Sequence, residues 1–161
     1  YLSQMAGRLD RLHIRVDRAR SALHEQLLRR SAVALELATS GLLDPATSLV
    51  LGEAAHRARS ADAASREDAE SDLTRALLTA LEEPDDVEQL RADPASAALI
   101  DELAAVTRRV QLARQFLDDA VRSCARVRRL RVVRLFRLAG RAPWPESREF
   151  ADEPPPALVH A

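Results

Sequence analysis

The sequence predicts an all-α protein: an elongated, antiparallel, up-and-down helical bundle of three long helices or four. Composition is the first reason. Of 161 residues only four are Gly and 3% are aromatic, a balance that favours closely packed helices over sheets. The second reason is an apolar residue at every fourth and third position from Leu99 to Val127, the spacing of a helix that packs on other helices. The third is the pair Asp-Pro at 44–45 and 93–94, a typical helix start.

The first helix is predicted from about residue 2 to residue 40. Its 4-3 apolar spacing is regular from Met5 to Leu23 and continues less cleanly to Leu37. Gly41 is the natural stop, because Gly tolerates the left-handed conformation that ends many helices.

Residues 45–83 are predicted to be helical, either as one helix or as two helices broken near residues 61–65. The apolar stripe is Leu49, Val50, Ala54, Ala58 and Ala61. The helix must end by residue 83, because Pro84 disfavours helix at the residue before it.

The acidic residues after this break are predicted to form a solvated helix face, opposite arginines of the last helix. They are Glu67, Asp68, Glu70 and Asp72. Residues 84–94 are predicted to be a loop with room for one short helical turn.

The last helix is predicted over residues 95–139. Its seam is Leu99, Leu103, Val106, Val110, Ala113, Leu117, Ala120, Cys124 and Val127. The position of Cys124 in this seam predicts a buried apolar residue rather than a reactive thiol. The bundle is expected to occupy residues 1–141, followed by an extended, Pro-rich tail over residues 142–161.

Charge is unevenly distributed along the chain. Residues 1–40 hold seven Arg against four acids, residues 41–95 five against thirteen, residues 96–141 eleven against four, and residues 142–161 one against four. Basic flanks around an acidic middle suit helices that neutralise one another in a bundle. The near-zero total disfavours a dedicated nucleic-acid-binding protein, and we expect no nucleic-acid partner and no small-molecule substrate.

The nonapeptide Ala113 to Val121 resembles the signature Ala-Arg-x-Phe/Tyr-Tyr-Asn-x-Ala-Val of the LemA family. The matching positions are Ala113, Arg114, Phe116, Asp118, Ala120 and Val121. The first helix, with Gln26 to Arg30, and the C-terminal Phe150 to Pro154 resemble further motifs of that family. The family's Tyr-Asn pairs are replaced here by Leu117-Asp118 and Cys124-Ala125. The resemblance implies a bacterial, membrane-anchored, antiparallel helical bundle whose biochemical role is unsettled.

The N-terminal residues agree with a membrane tether. Tyr1-Leu2 is followed by Arg8, Arg11 and Arg15, as where a chain leaves a membrane helix and meets the positive-inside rule. We therefore expect an N-terminal anchor preceding Tyr1, a location at the cell membrane and a domain on the cytoplasmic side.

Two patterns are candidate sites. Glu53-x-x-His56 has the spacing of ferritin-like di-metal sites, but no second copy follows, so a surface pair is the favoured interpretation and no metal or cofactor is expected. The second is a basic run that forms a possible partner or lipid surface: Arg126, Arg128, Arg129, Arg131, Arg134, Arg137 and Arg141. Packing of its apolar face on the bundle is slightly favoured, followed by binding of anionic lipid and, last, of nucleic-acid phosphates.

The sequence thus predicts a non-enzymatic, membrane-tethered helical scaffold or adaptor with a membrane-associated protein partner. The alternatives are a metal-binding bundle enzyme that uses carboxylate and His ligands, and a peripheral lipid-binding module that uses residues 126–141.

Overall fold

The computed structural model of the chain describes residues 2–129 and 152–156. Within them it has five helices and no strand, so the predicted all-α class is confirmed. The helices are α1 (Leu2–Thr39), α2 (Pro45–Ser60), α3 (Arg66–Ala80), α4 (Pro84–Ala92) and α5 (Pro94–Arg128). The predicted continuation of the last helix to residue 139 lies outside the described residues, as does most of the predicted tail.

Two helix starts and one helix end follow directly from local chemistry. Gly41, just after α1, has φ +77°, the left-handed conformation that Gly adopts without a steric penalty. Asp44 caps α2 by accepting hydrogen bonds from the amides of Ala46 and Thr47 at 3.0 and 3.1 Å. Asp93 caps α5 in the same way, because a carboxylate satisfies amides that lack a helical partner.

In two parts of the chain the structure adds to the predicted helices or differs from them. Between residues 45 and 83 the chain forms two helices, and Asp62 accepts bonds from the Ser65 amide and hydroxyl at 2.9 and 2.8 Å in the turn between them. The loop predicted for residues 84–94 was wrong, because residues 84–92 form α4. Pro84 suits the first helical position, and Val87 and Leu90 lie on one face and are both buried. The described helices therefore number five rather than three or four.

Contacts along the chain divide it into two compact units. The terminal unit contains α1 up to His24 and α5 from Leu112. The central unit contains residues 25–111, and the short segment 152–156 belongs to it. Gln111 Nε2 donates to the Asp152 carbonyl oxygen at 3.1 Å, which attaches that segment to the central unit.

Each unit has its own apolar core. In the terminal unit the buried residues are Leu9, Val16 and Leu23 of α1 with Leu117, Ala120, Val121, Cys124 and Val127 of α5. The central core draws on all five helices, and α2 and α3 contribute many of its small residues. These are Ala54, Ala55 and Ala58 on α2 and Ala69 and Ala76 on α3.

An ion pair is buried inside the central unit. Arg30 of α1 and Glu70 of α3 are 1% and 2% exposed, and Arg30 Nη2 lies 2.7 Å from Glu70 Oε2. Arg30 also donates to the Thr74 hydroxyl at 3.2 Å and to the Glu70 carbonyl at 3.3 Å. Its guanidinium thereby links one helix to two turns of another.

This pair corrects the predicted solvated acidic face. Glu70 points into the core, and burial raises the pKa of its carboxyl above the ordinary value, against the opposing charge of Arg30. Asp72 lies closer to the surface and contacts arginines of α2 and α3, whereas the prediction placed these acids opposite the last helix. Apolar spacing on α1 had already broken at position 30, between Leu27 and Ala34.

We predict that the two members of the buried pair depend on each other. Glu70→Leu alone should lower the free energy of unfolding by about 3–5 kcal/mol, because it leaves the Arg30 charge buried without compensation. Arg30→Met combined with Glu70→Leu should recover most of that loss, because no charge then remains in the core. Urea denaturation of the two variants and the parent protein measures both values. A double variant as unstable as Glu70→Leu alone would contradict this account.

We also predict that replacement of Gly52, inside α2, by Ala stabilises the fold. A Cβ atom built there would lie 3.6 Å from the Ala38 Cβ, an ordinary van der Waals contact. Gly52→Ala should therefore raise the free energy of unfolding by about 0.5–1 kcal/mol, by reducing the entropy of the unfolded chain. Gly41→Ala is the control and should be destabilising, because a side chain at φ +77° is strained. Thermal denaturation followed by circular dichroism compares the two.

Candidate functional site

Among the described residues, a groove with a volume of about 420 Å³ lies between α2 and α3. Both helices belong to the central unit, and they contact each other extensively. The groove is lined by Ala46, Thr47, Val50, Ala54 and Arg57 from α2 and by Asp72, Arg75, Ala76 and Thr79 from α3.

Small side chains form the floor of the groove. Ala54 and Ala76 line it and are themselves buried. Because a methyl group extends little from the helix, facing alanines leave space above them that larger side chains would fill. The turn at residues 61–65 brings the two helices together, and its hydrogen bonds to Asp62 fix that turn.

One end of the groove carries two guanidinium groups around one carboxylate. Arg57 Nη1 donates to Asp72 Oδ2 at 3.2 Å, and Arg75 Nη2 donates to Asp72 Oδ1. Arg57 also lies 3.9 Å from Glu53, and the side chains of both arginines are more than half exposed. Each guanidinium has five N–H donors, so donors remain for a carboxylate or phosphate that enters the groove.

Exposed apolar side chains lie on α2 at the groove: Val50 lines it, and Leu49 precedes Val50 in the helix. Leu49 and Val50 are 72% and 59% exposed. The prediction that both belong to a buried stripe was wrong, because Leu51 occupies the core position of this turn and is fully buried. Large aliphatic side chains beside a groove are typical of protein-binding surfaces.

A second cavity, of about 450 Å³, lies where α2 and α5 begin. Both capping carboxylates, Asp44 and Asp93, line it, and Thr47 and Thr79 line it as well as the groove. Hydrogen bonds from the Ser96 amide and hydroxyl lower the pKa of Asp93 below its ordinary value. Bonds from the Thr47 hydroxyl and amide lower the pKa of Asp44 similarly.

The Glu-x-x-His pair considered as a metal motif lies on the surface of α2. Glu53 and His56 are both exposed, and Glu53 neighbours Arg57. Among residues 2–129 and 152–156, no three His, Cys, Asp or Glu side chains are grouped so that they could hold a metal ion.

The basic run is only partly described. Arg126 and Arg129 are exposed, and Arg128 is the last residue of α5. Arg131, Arg134, Arg137 and Arg141 lie outside the described residues. The lipid and packing interpretations of this run stay predictions.

The residues of the LemA-like motif divide between the core and the surface of α5. Ala120 and Val121 are buried, whereas Ala113, Arg114 and Asp118 are half-buried. Phe116 is 56% exposed, which is unusual for a large aromatic residue.

Sequence reasoning did not find the arginines of the groove. Arg57 and Asp72 are fifteen residues apart, and only the pairing of α2 with α3 brings them together. The available signal was the turn near residues 61–65, since it required the helices on either side to pack against each other.

Comparison with known proteins yields no assignment. No protein-family model, curated protein or solved structure matches the chain, so the LemA resemblance stays a prediction. Among the described helices, none combines the length and apolar character needed to cross a membrane.

We predict a pH dependence that arises from three aspartates: the helix caps Asp44 and Asp93, and Asp62 in the turn between α2 and α3. Hydrogen bonds, led by those from the Ser65 amide and hydroxyl, lower the pKa of Asp62 as well. A carboxyl whose folded-state pKa is lowered stabilises the fold above its unfolded pKa of 3.8, and this stabilisation is lost as pH falls through the folded value.

Replacement of all three by Asn keeps a good capping residue but removes the titration. The difference in free energy of unfolding between pH 5 and pH 2.5 should therefore be smaller in the triple variant than in the parent. Urea denaturation at the two pH values measures it. An unchanged difference would mean that these three carboxyls do not cause the acid sensitivity.

Proposed function

We propose that the chain is a non-enzymatic helical scaffold or adaptor that binds a segment of a protein partner in the α2–α3 groove. The observation that carries this proposal is the composition of the groove. It has a floor of alanines, the exposed aliphatic side chain of Val50 on its α2 wall, and a pair of arginines at one end.

The chemistry of the groove indicates the kind of segment that fits. Its α2 wall extends from Ala46 to Arg57, which corresponds to about 16 Å at 1.5 Å per residue. That length suits about three turns of an amphipathic helix, which would place apolar residues at i, i+3 or i+4 and i+7 over the floor. An acidic residue at one end would accept forked hydrogen bonds from Arg57 or Arg75.

Membership of the LemA family, the antiparallel order of the helices and an N-terminal membrane tether belong to the same proposal. Support for the tether comes from Arg8, Arg11, Arg15 and Arg18, which are all exposed along the start of α1. Such arginines suit a cytoplasmic segment close to an anionic membrane surface. A tethered adaptor would hold its partner near that surface.

Site-specific photocrosslinking in cells tests the groove. A photoreactive amino acid in place of Val50 should give a discrete adduct with a protein segment that contains acidic residues, as identified by mass spectrometry. The same amino acid in place of His56 is the matched control, because His56 is exposed on α2 and does not line the groove. No such adduct is expected there.

Charge reversal supplies the second part of this test. Arg75→Glu should reduce the Val50 adduct by about 10–100-fold, as expected for loss of a charged hydrogen bond of about 1.5–3 kcal/mol. Arg59→Glu reverses an exposed charge on α2 outside the groove and should leave the adduct unchanged. Equal adducts at positions 50 and 56, or an adduct insensitive to Arg75→Glu, would exclude the groove as the binding site.

A further inference from the structure

A second surface with large exposed apolar side chains lies on α5. Leu112 and Phe116 are 51% and 56% exposed and lie one helical turn apart. Arg109 and Asp119 are also exposed. Because α5 is one uninterrupted helix, their spacing of three, four and three residues places all four side chains along one face by helical periodicity alone.

The order of these residues is self-complementary. Positions 112 and 116 lie equally far from position 114, and so do positions 109 and 119. If two copies of α5 pack antiparallel about a two-fold axis level with residue 114, Leu112 of one copy faces Phe116 of the other. In the same register Arg109 of one copy faces Asp119 of the other.

We propose that this face of α5 binds a second copy of the chain, in an antiparallel and symmetric dimer. A symmetric interface uses the same patch on both subunits, and the apolar and charged pairs above satisfy that condition. A parallel arrangement in register would instead oppose Arg109 to Arg109 and Asp119 to Asp119, which is unfavourable.

Neighbouring residues are compatible with close approach. Ala105 and Ser123 are the next positions outward on this face, occupy the same symmetric relation, and are both small. Asp119 already accepts a hydrogen bond from Arg122 at 2.6 Å within α5. A carboxylate has about four acceptor sites, so Asp119 can also accept from Arg109 of the other copy.

The interface is small, and the dimer is therefore weak. Two apolar pairs and two charged pairs related by symmetry bury less than the ~1,000 Å² typical of a stable complex. Association should accordingly depend on concentration over about 1 μM to 1 mM. This surface is separate from the α2–α3 groove, so the two proposals can fail independently.

Sedimentation velocity on the full chain, with charge-reversed variants, tests the proposal. The parent protein should shift from monomer to dimer as its concentration rises. Arg109→Glu and Asp119→Arg should each weaken dimerisation by about tenfold or more, because each opposes like charges. The combined variant should regain dimerisation, because it restores opposite charges in exchanged positions. Arg59→Glu is the matched control and should dimerise like the parent.

Disulfide trapping tests the register in a Cys124→Ala background. Leu112→Cys mixed with Phe116→Cys should give a mixed disulfide faster than either protein gives its own dimer, since positions 112 and 116 face each other. A monomer at all concentrations, or a double charge reversal without recovery, would overturn the proposal. A preference for disulfides between identical positions would overturn the antiparallel register. Circular dichroism of each variant separates loss of dimer from loss of fold.

Discussion

The packing of the central unit depends on a buried charge and on the residue that neutralises it. Arg30 occupies a position where the spacing of α1 calls for an apolar residue, and Glu70 of α3 neutralises it. The Thr74 hydroxyl and the Glu70 carbonyl accept further bonds, so the guanidinium fixes the position of α3 along α1. Burial of two charges is costly, and their attraction offsets that cost only when the geometry is good. The pair therefore specifies one packing register, which purely apolar alanine-rich surfaces would define less strictly.

The α2–α3 groove follows from that fixed position. The Arg30–Glu70 pair holds α3 from the core side, whereas Asp72, two residues later, contacts Arg57 and Arg75 on the outer side. One helix thus has an ion pair in the core and another at the surface. The small side chains of Ala54 and Ala76 line the groove and leave it open. The α5 face differs in kind, because it depends on the exposed side chains of Leu112 and Phe116 rather than on a cavity.

Sequence periodicity was sufficient for the long helices but not for α4 or for the side-chain partners. Seven of the nine predicted seam residues of α5 are buried, because its apolar residues repeat without interruption, whereas Leu99 and Ala113 are half-buried. The helix starts at the Asp-Pro pairs and the helix end at Gly41 depend on local chemistry, so they too could be predicted from the sequence. By contrast, α4 was missed because nine residues with only two large apolar side chains give too short a pattern. Glu70 was misplaced because an acidic side chain in an acidic segment resembles a solvated face until its partner, forty residues away, is known.

The alanines of α2 and α3 have a consequence for how this protein could evolve. A core position filled by Leu has one role, and its loss leaves a cavity that weakens the fold. Ala54 and Ala76 are buried beneath a space that the fold does not require to be filled. Larger residues there would reshape the groove while adding apolar contact, so recognition could diverge between relatives without a matching loss of stability. If the chain is the scaffold proposed above, its binding preference would depend on its smallest side chains.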